Sequence, residues 1–281
     1  MQPFTQSTPL RLVNEALLRA IEEQDLALLT AAAPGWRRSR KENASSLVQW
    51  VWRQAFDGPA VGHLVAQGYP VTPAVVEDVL RWLDLFGNSA YNAWKDLLPA
   101  VVGRPTFHAS VLRGLERSTR PSLFRDPPVI RWEALDLDQV FPPESWQIPL
   151  HRMMAVFDSS APNDRAWCNL TPLQWAWAQN NPLLCEGLIQ AGAPMDVPVT
   201  GSSWPGWCFE EVLQESSENI RRPKARKQVE SLVDERTRSS TSVQRWKALS
   251  KKLPALRSQQ RQAVLSHGLP EARCSTSRPR F

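Results

Sequence analysis

Two parts of the chain share one pattern of residues, Gln49-Trp50-Val51-Trp52-Arg53-Gln54 and, further on, Gln174-Trp175-Ala176-Trp177-Ala178-Gln179. A second apolar segment follows each copy and ends in Gly-x-Pro, at Gly68 and at Gly192. Glycine is common just beyond a helix, because it adopts the left-handed conformation without steric cost. The pattern therefore predicts a helical hairpin that occurs twice. Units repeated in this way bury their apolar faces by stacking on one another, as in solenoid proteins.

The second copy belongs to a longer motif, Thr171-Pro172-Leu173-Gln174-Trp175-Ala176, which an Ala191-Gly192-Ala193 turn follows. Thr171 offers a hydroxyl that can cap the first helix, and Pro172 suits its first position. The motif resembles an ankyrin repeat, in which Thr-Pro-Leu-His-x-Ala precedes a second apolar helix and a Gly-Ala turn. The stretch at 148–151 is similar to the start of the same motif. The resemblance implies an irregular, ankyrin-like helical-hairpin solenoid, and an unrelated protein of helical hairpins is the alternative.

Changes in composition divide the chain into four parts, and the predicted fold class is all-α. Residues 1–120 form an N-terminal helical block with degenerate ankyrin-like repeats, and residues 148–216 carry the C-terminal ones. Residues 121–147 are a Pro-rich connection, because six prolines within or beside this stretch prevent a long helix. We expect an extended connection that lies against the folded body through Ile130, Trp132, Leu135 and Leu137, with a short strand as an alternative. Residues 217–281 form a basic C-terminal tail, helical or partly disordered.

Charge is distributed unevenly along the chain. Residues 1–220 hold 17 lysines and arginines against 24 aspartates and glutamates, whereas residues 221–281 hold 16 against 4. A basic tail that follows an acidic body suggests that the tail binds something acidic. The alternatives are nucleic acid, an acidic protein and the body of the same chain. Within the tail, apolar spacing predicts a helix over 242–253 that ends before Pro254.

The residue types that carry catalysis or bind metals are scattered. The four histidines and four cysteines show neither the spacing of a zinc site nor that of a catalytic motif, and no glycine-rich phosphate loop occurs. We therefore expect no enzymatic activity, no catalytic residue, no metal and no cofactor. The chain has no apolar run of bilayer length and no recognisable leader at its start, so we expect a cytoplasmic protein without membrane contact.

Two functions are open from the sequence. The first is a non-enzymatic adaptor or inhibitor that binds a protein partner through its ankyrin-like surface. Tryptophan is enriched at binding hot spots, although each one can instead fill the core; the candidate anchors are Trp50, Trp175, Trp204 and Trp207. The second is a nucleic-acid-associated protein that binds the phosphate backbone through its tail. The candidate contacts with phosphate or with an acidic partner are Arg221, Arg222, Lys224, Arg226, Lys227, Lys251 and Lys252.

Overall fold

A computed structural model of the chain describes residues 4–37, 44, 46–119, 129–147, 170–179, 181–197 and 240–266. These residues form α-helices, short 3-10 turns and loops, and they contain no strand. The predicted all-α class is therefore confirmed. The chain falls into two compact units, Met1–Pro142 and Pro143–Phe281, and the division lies within the proline-rich stretch. None of the helices in the described part combines the length and apolar character that a membrane crossing requires.

The described part of the first unit contains eight α-helices. They are α1 (Leu10–Glu22), α2 (Leu26–Ala32), α3 (Leu47–Ala55), α4 (Gly58–Ala66), α5 (Pro73–Arg81), α6 (Leu83–Val101), α7 (His108–Thr119) and α8 (Leu137–Val140). Helices α1 and α2, α3 and α4, and α5 and α6 contact each other as consecutive pairs. The first helices also contact one another in sequence, α1 with α3, α3 with α5, and α5 with α7. The second helices do the same, α2 with α4 and α4 with α6. Three consecutive hairpins thus pack in two rows, and α7 continues the first row.

The amphipathic pattern of α1 suits its position as the first helix of the first row. Its buried residues, Val13, Leu17, Ala20 and Ile21, follow helical spacing and form one face. Leu12 and Leu18 lie outside that face and are exposed. The turn into α2 is stabilised by Asp25, whose side chain accepts hydrogen bonds from the backbone nitrogens of Ala27 and Leu28. Such a cap satisfies backbone donors that the first turn of a helix leaves without a partner.

Helices α4 and α6 approach each other closely at a glycine. A Cβ atom placed on Gly58 would lie 2.7 Å from the backbone oxygen of Ser89, well inside van der Waals contact. The backbone nitrogen of Gly58 also donates a hydrogen bond to the Ser89 hydroxyl at 3.0 Å. A side chain at position 58 would therefore separate the second helices of two neighbouring hairpins.

The third hairpin is less regular than its apolar pattern suggests. That pattern predicts one helix from Pro73 to Phe86 and a stop at Gly87, but α5 already ends at Arg81. Gly87 is non-helical within α6, with φ 42° and ψ −116°, so the predicted stop is present as a kink. The break before Leu83 lets Trp82 and Phe86 contact Phe56 at the end of α3, and this packing overrides helical propensity.

The end of the first unit packs against the preceding helices, as the apolar residues Leu135 and Leu137 of the connection predict. Residues Leu135, Leu137, Val140 and Phe141 are buried. The indole nitrogen of Trp94 donates to the backbone oxygen of Leu135 at 2.9 Å. This part of the predicted connection contains a 3-10 turn and the short α8, and neither an extended strand nor a long helix is found in its described residues.

The described part of the second unit contains three α-helices, α9 (Pro172–Ala178), α10 (Pro182–Gln190) and α11 (Ser240–Ser266). α9 contacts α10, and α10 contacts α11. α11 runs through Pro254, so the predicted end of the helix at residue 253 is wrong. Pro254 is exposed, while Leu249 and Leu256 on either side of it are buried. Their burial holds the helix together across the hydrogen bond that proline cannot make.

Candidate partner-binding surfaces

The sequence repeat corresponds to a repeated helix start. The Ser46 hydroxyl accepts a hydrogen bond from the backbone nitrogen of Gln49 at 3.2 Å. Thr171 accepts from Gln174 in the same way at 3.4 Å. In the second copy, the Gln174 side chain also accepts from the backbone nitrogen of Thr171 at 2.9 Å, which completes a capping box. Both first helices of the repeat therefore begin with the same kind of side-chain cap, and Thr171 is the cap that the sequence pattern predicts.

The exits of the two hairpins also match, bond for bond. After α4, the backbone nitrogen of Gly68 donates to Val65 and that of Tyr69 donates to Leu64, at 2.9 and 3.1 Å. After α10, the corresponding bonds run from Gly192 to Ile189 and from Ala193 to Leu188, at 3.1 and 2.9 Å. Gly68 and Gly192 both have positive φ, 85° and 100°. Glycine at these positions allows the left-handed turn that ends each hairpin.

The first glutamine of each copy connects its helix to a later part of the chain. The side-chain nitrogen of Gln49 donates to Asp78 on α5 at 2.6 Å, and Arg53 donates to the same oxygen at 2.6 Å. The side-chain nitrogen of Gln174 donates to the backbone oxygen of Val197 at 2.9 Å. Both residues thus help to fix the packing of their hairpin on the chain that follows.

A second ionic group lies on the other side of α5. Glu77 pairs with Arg113 of α7 at 3.1 Å, and it also pairs with Arg117. Neighbouring carboxylates on α5 therefore link it to α3 through Asp78 and to α7 through Glu77. Because Asp78 already pairs with one arginine and Glu77 with two, we interpret the two carboxylates as a structural network that holds α3, α5 and α7 together.

The tryptophans proposed as anchors lie in different environments. Trp50 is only 4% exposed, so its side chain packs in the core of the first unit and presents almost no surface to a partner. We therefore do not propose Trp50 as an anchor, because its side chain is buried and a partner could not reach it. Trp175 is half-buried on α9 and retains some surface. Trp204 and Trp207 lie outside the described residues.

A cluster of aromatic side chains at the ends of α3 and α5 was not singled out from the sequence. The rings of Phe56 and Phe86 stack with centroids 3.9 Å apart and an angle of 12°. Trp82 meets both rings edge-on at 5.9 Å, and Trp52 approaches Phe56 at 5.4 Å. Trp52 is buried, whereas the other three are half-buried. The i, i+4 spacing of Trp82 and Phe86 is the sequence signal that indicates a shared face.

The surroundings of this aromatic cluster are partly apolar and partly basic. Leu85, next to Phe86 in the sequence, is 44% exposed. The guanidinium of Arg81 lies 5.0 Å from the centre of the Trp82 ring, within the range of a cation–π contact. Large aromatic rings that keep part of their area accessible are typical of protein-binding surfaces.

The basic residues of the tail fall into two groups. Arg221, Arg222, Lys224, Arg226 and Lys227 lie outside the described residues. Lys251 and Lys252 lie on α11, and both are exposed. Lys252 forms an ion pair with Glu186 of α10 at 2.5 Å, so part of the tail docks on its own unit. This contact fits the expectation that the tail can find an acidic contact within the chain.

The described residues hold no group of three or more histidine, cysteine, aspartate or glutamate side chains that could bind a metal ion. Cys185 is a buried free thiol, and burial raises its pKa. A thiol of this kind stays protonated and packs as a small apolar group. Comparison of the chain with protein-family models, curated proteins and solved structures finds no match.

Proposed function

We propose that the chain is a non-enzymatic protein-interaction module, an adaptor or inhibitor, built on an irregular stack of ankyrin-like hairpins. The observation that supports this proposal best is the two-row packing of α1 to α7. The matching helix starts and glycine exits at α3–α4 and α9–α10 support it further. Stacked hairpins present long, continuous surfaces, and proteins of this architecture commonly use them to bind partners.

The aromatic cluster takes the place of Trp50 as the candidate contact in the first unit. Phe56, Trp82 and Phe86 retain exposed area, and Leu85 extends it. Aromatic side chains lose little conformational entropy on binding, so they contribute strongly when a partner covers them. The stacked and edge-on packing orders these rings before any partner arrives. Trp175 remains the candidate contact in the second unit.

The ionic links of α5 support a preorganised surface. Asp78 joins α5 to α3, and Glu77 joins it to α7. Helices held on both sides move little when a partner binds, which lowers the entropic cost of association. The aromatic cluster lies at the ends of α3 and α5, two of the helices that these links join. The partner would therefore meet a surface whose shape exists in the free protein.

The proposal can be tested by photo-crosslinking in the cell of origin. A crosslinking amino acid replaces Leu85 in one variant and Leu12 in another, since these leucines are 44% and 51% exposed and lie on different hairpins. We expect a discrete protein adduct from position 85 and not from position 12. Adding Trp82→Ala should abolish that adduct while the far-ultraviolet circular dichroism stays helical. Identical adducts from both positions, or an adduct that Trp82→Ala leaves unchanged, would contradict the proposed surface.

A further inference from the structure

Helix α11 is fixed on the second unit by one of its faces. Leu249 and Leu256 are buried on this face. The side-chain nitrogen of Gln260 donates to the backbone oxygens of Ile189 and Ala193 at 2.8 and 3.0 Å, at the end of α10. With the Lys252–Glu186 ion pair, these contacts extend from Leu249 to Gln260, through the middle of the helix. The orientation of α11 about its own axis is therefore determined.

The opposite face of α11 is basic. At 3.6 residues per turn, Lys247, Lys251 and Arg261 lie within about 40° of one line, and that line is about 180° from the buried leucines. All three side chains are exposed. The helix contains six lysines and arginines and no aspartate or glutamate, so no carboxylate within α11 neutralises this face. We call Lys247, Lys251 and Arg261 the basic face.

We propose that the basic face binds the phosphate backbone of double-stranded nucleic acid. Lys247 and Arg261 are separated by about 21 Å along the helix, a length that spans roughly six base pairs along the axis of a duplex. Lysine, arginine, serine and glutamine side chains are the usual donors to phosphate, and Ser258 and Gln262 lie on or beside this face. The contact carries no information about base sequence.

Two features of α11 favour a duplex over single-stranded nucleic acid and over a membrane surface. Single-stranded binding relies on aromatic side chains on which bases stack, and the basic face carries none. A membrane-bound amphipathic helix inserts its apolar face into the lipid, whereas α11 already buries Leu249 and Leu256 within its own unit. The rigid docking also means that binding does not first have to order the helix.

This binding site is independent of the protein-interaction role proposed for the hairpins. It also changes which basic residues of the tail we expect to contact phosphate. Lys252 is paired with Glu186, whereas Lys247 and Arg261 lie with Lys251 on the outward face. Three phosphate contacts contribute a slope of about −2.7 to the dependence of log affinity on log salt. A fourfold rise in salt concentration then weakens binding about 40-fold through these residues alone.

The test measures binding of the full chain to a fluorescent duplex of about 30 base pairs, between about 50 and 200 mM salt. The test variant carries Lys247→Gln, Lys251→Gln and Arg261→Gln. The control variant carries Arg11→Gln, Arg19→Gln and Lys95→Gln, which removes the same charge from exposed positions of the first unit. We expect the test variant to bind at least tenfold more weakly at the lowest salt, with a flatter slope, and the control to bind like the original chain.

Three results would overturn the proposal. One is an original chain that does not bind the duplex at the lowest salt, and another is an equal loss in the test and control variants, which would indicate net charge alone. The third is a test variant that keeps its duplex affinity but loses binding to vesicles of phosphatidylserine and phosphatidylcholine, which would assign the face to a membrane surface. Because Lys247, Lys251 and Arg261 lie opposite the docked face, we expect the test variant to unfold at the same temperature as the original chain.

Discussion

The side chain of Gln49 donates a hydrogen bond to the carboxylate of Asp78 at 2.6 Å, and the two residues are only 2% and 7% exposed. The bond crosses from α3 to α5, so it joins one hairpin to the next. Gln49 is also the first residue of the pattern that recurs at Gln174. The repeated glutamine therefore has a physical role, which is to anchor a first helix to the chain that follows it.

Replacing Gln49 with alanine should lower the free energy of unfolding by about 1–3 kcal/mol, because it removes a donor from a buried carboxylate. Arg53 keeps its own bond to Asp78, which limits the loss. Urea-induced unfolding measures the change. Gln54→Ala is the matched control, since Gln54 is exposed near the end of the same helix, and it should change the stability by less than about 0.5 kcal/mol. Equal effects of the two substitutions would show that the Gln49–Asp78 bond does not stabilise the packing.

Local features of the fold could be predicted from the sequence because they depend on neighbours along the chain. The start of α9 at Thr171, the glycine exits at Gly68 and Gly192, and the break at Gly87 all follow from short-range chemistry. Caps and left-handed turns need only a few adjacent residues, so their signals survive in a single sequence. The helical class of the described residues followed from the same signals.

Features that depend on distant residues could not be predicted in this way. Nothing near Gln49 indicates that its partner is Asp78, and nothing near Trp50 shows that its side chain is buried. Apolar spacing gives the face of a helix but not which part of that face stays accessible. The break between α5 and α6 and the continuation of α11 through Pro254 have the same origin, since packing overrides the local preference at both positions.

Gly114 should not tolerate a side chain, because α7 lies close to α5 at this position. A Cβ atom there would lie 2.9 Å from the backbone oxygen of Glu77 and 2.7 Å from the Cβ of Leu80. We expect Gly114→Ala to destabilise the protein by about 1–3 kcal/mol, despite the higher helix propensity of alanine. Thermal unfolding measures the loss.

Gly62→Ala is the control for that substitution. Its Cβ would meet the carboxylate oxygen of Asp96 at 2.0 Å, and this side chain is exposed and free to rotate away. We expect a much smaller loss, within about 1 kcal/mol of the original stability, because only a side-chain torsion has to change. A larger loss for Gly62→Ala than for Gly114→Ala would contradict the assignment of close backbone packing to α5 and α7.

At position 56, a glycine variant should be more stable than an alanine variant, which is the reverse of the usual order within a helix. Phe56 ends α3 with φ 52°, a left-handed conformation that is strained for any residue with a Cβ atom. Phe56→Ala loses the ring contacts and keeps the strain, whereas Phe56→Gly loses the same contacts and relieves it. We expect the glycine variant to be more stable than the alanine variant by about 1 kcal/mol in urea unfolding. The same pair of substitutions at exposed Gln54, within helix α3, should give the opposite order.

His108 should make the first unit sensitive to mild acid. Burial lowers its pKa below the ordinary value of 6.5, and the bond from its ring to the Val140 oxygen opposes this only in part. The neutral ring is thus favoured in the folded chain, and the unfolded chain binds the proton more readily. The contribution of the neutral His108 ring to the free energy of unfolding is fully present above pH 6.5, and it is lost as the pH falls through the lowered pKa. Urea unfolding of the original chain and of the His108→Gln variant, measured at pH values from above 6.5 downward, isolates the effect. All other titrating groups are common to the two proteins. Parallel curves would mean that His108 is not the group responsible.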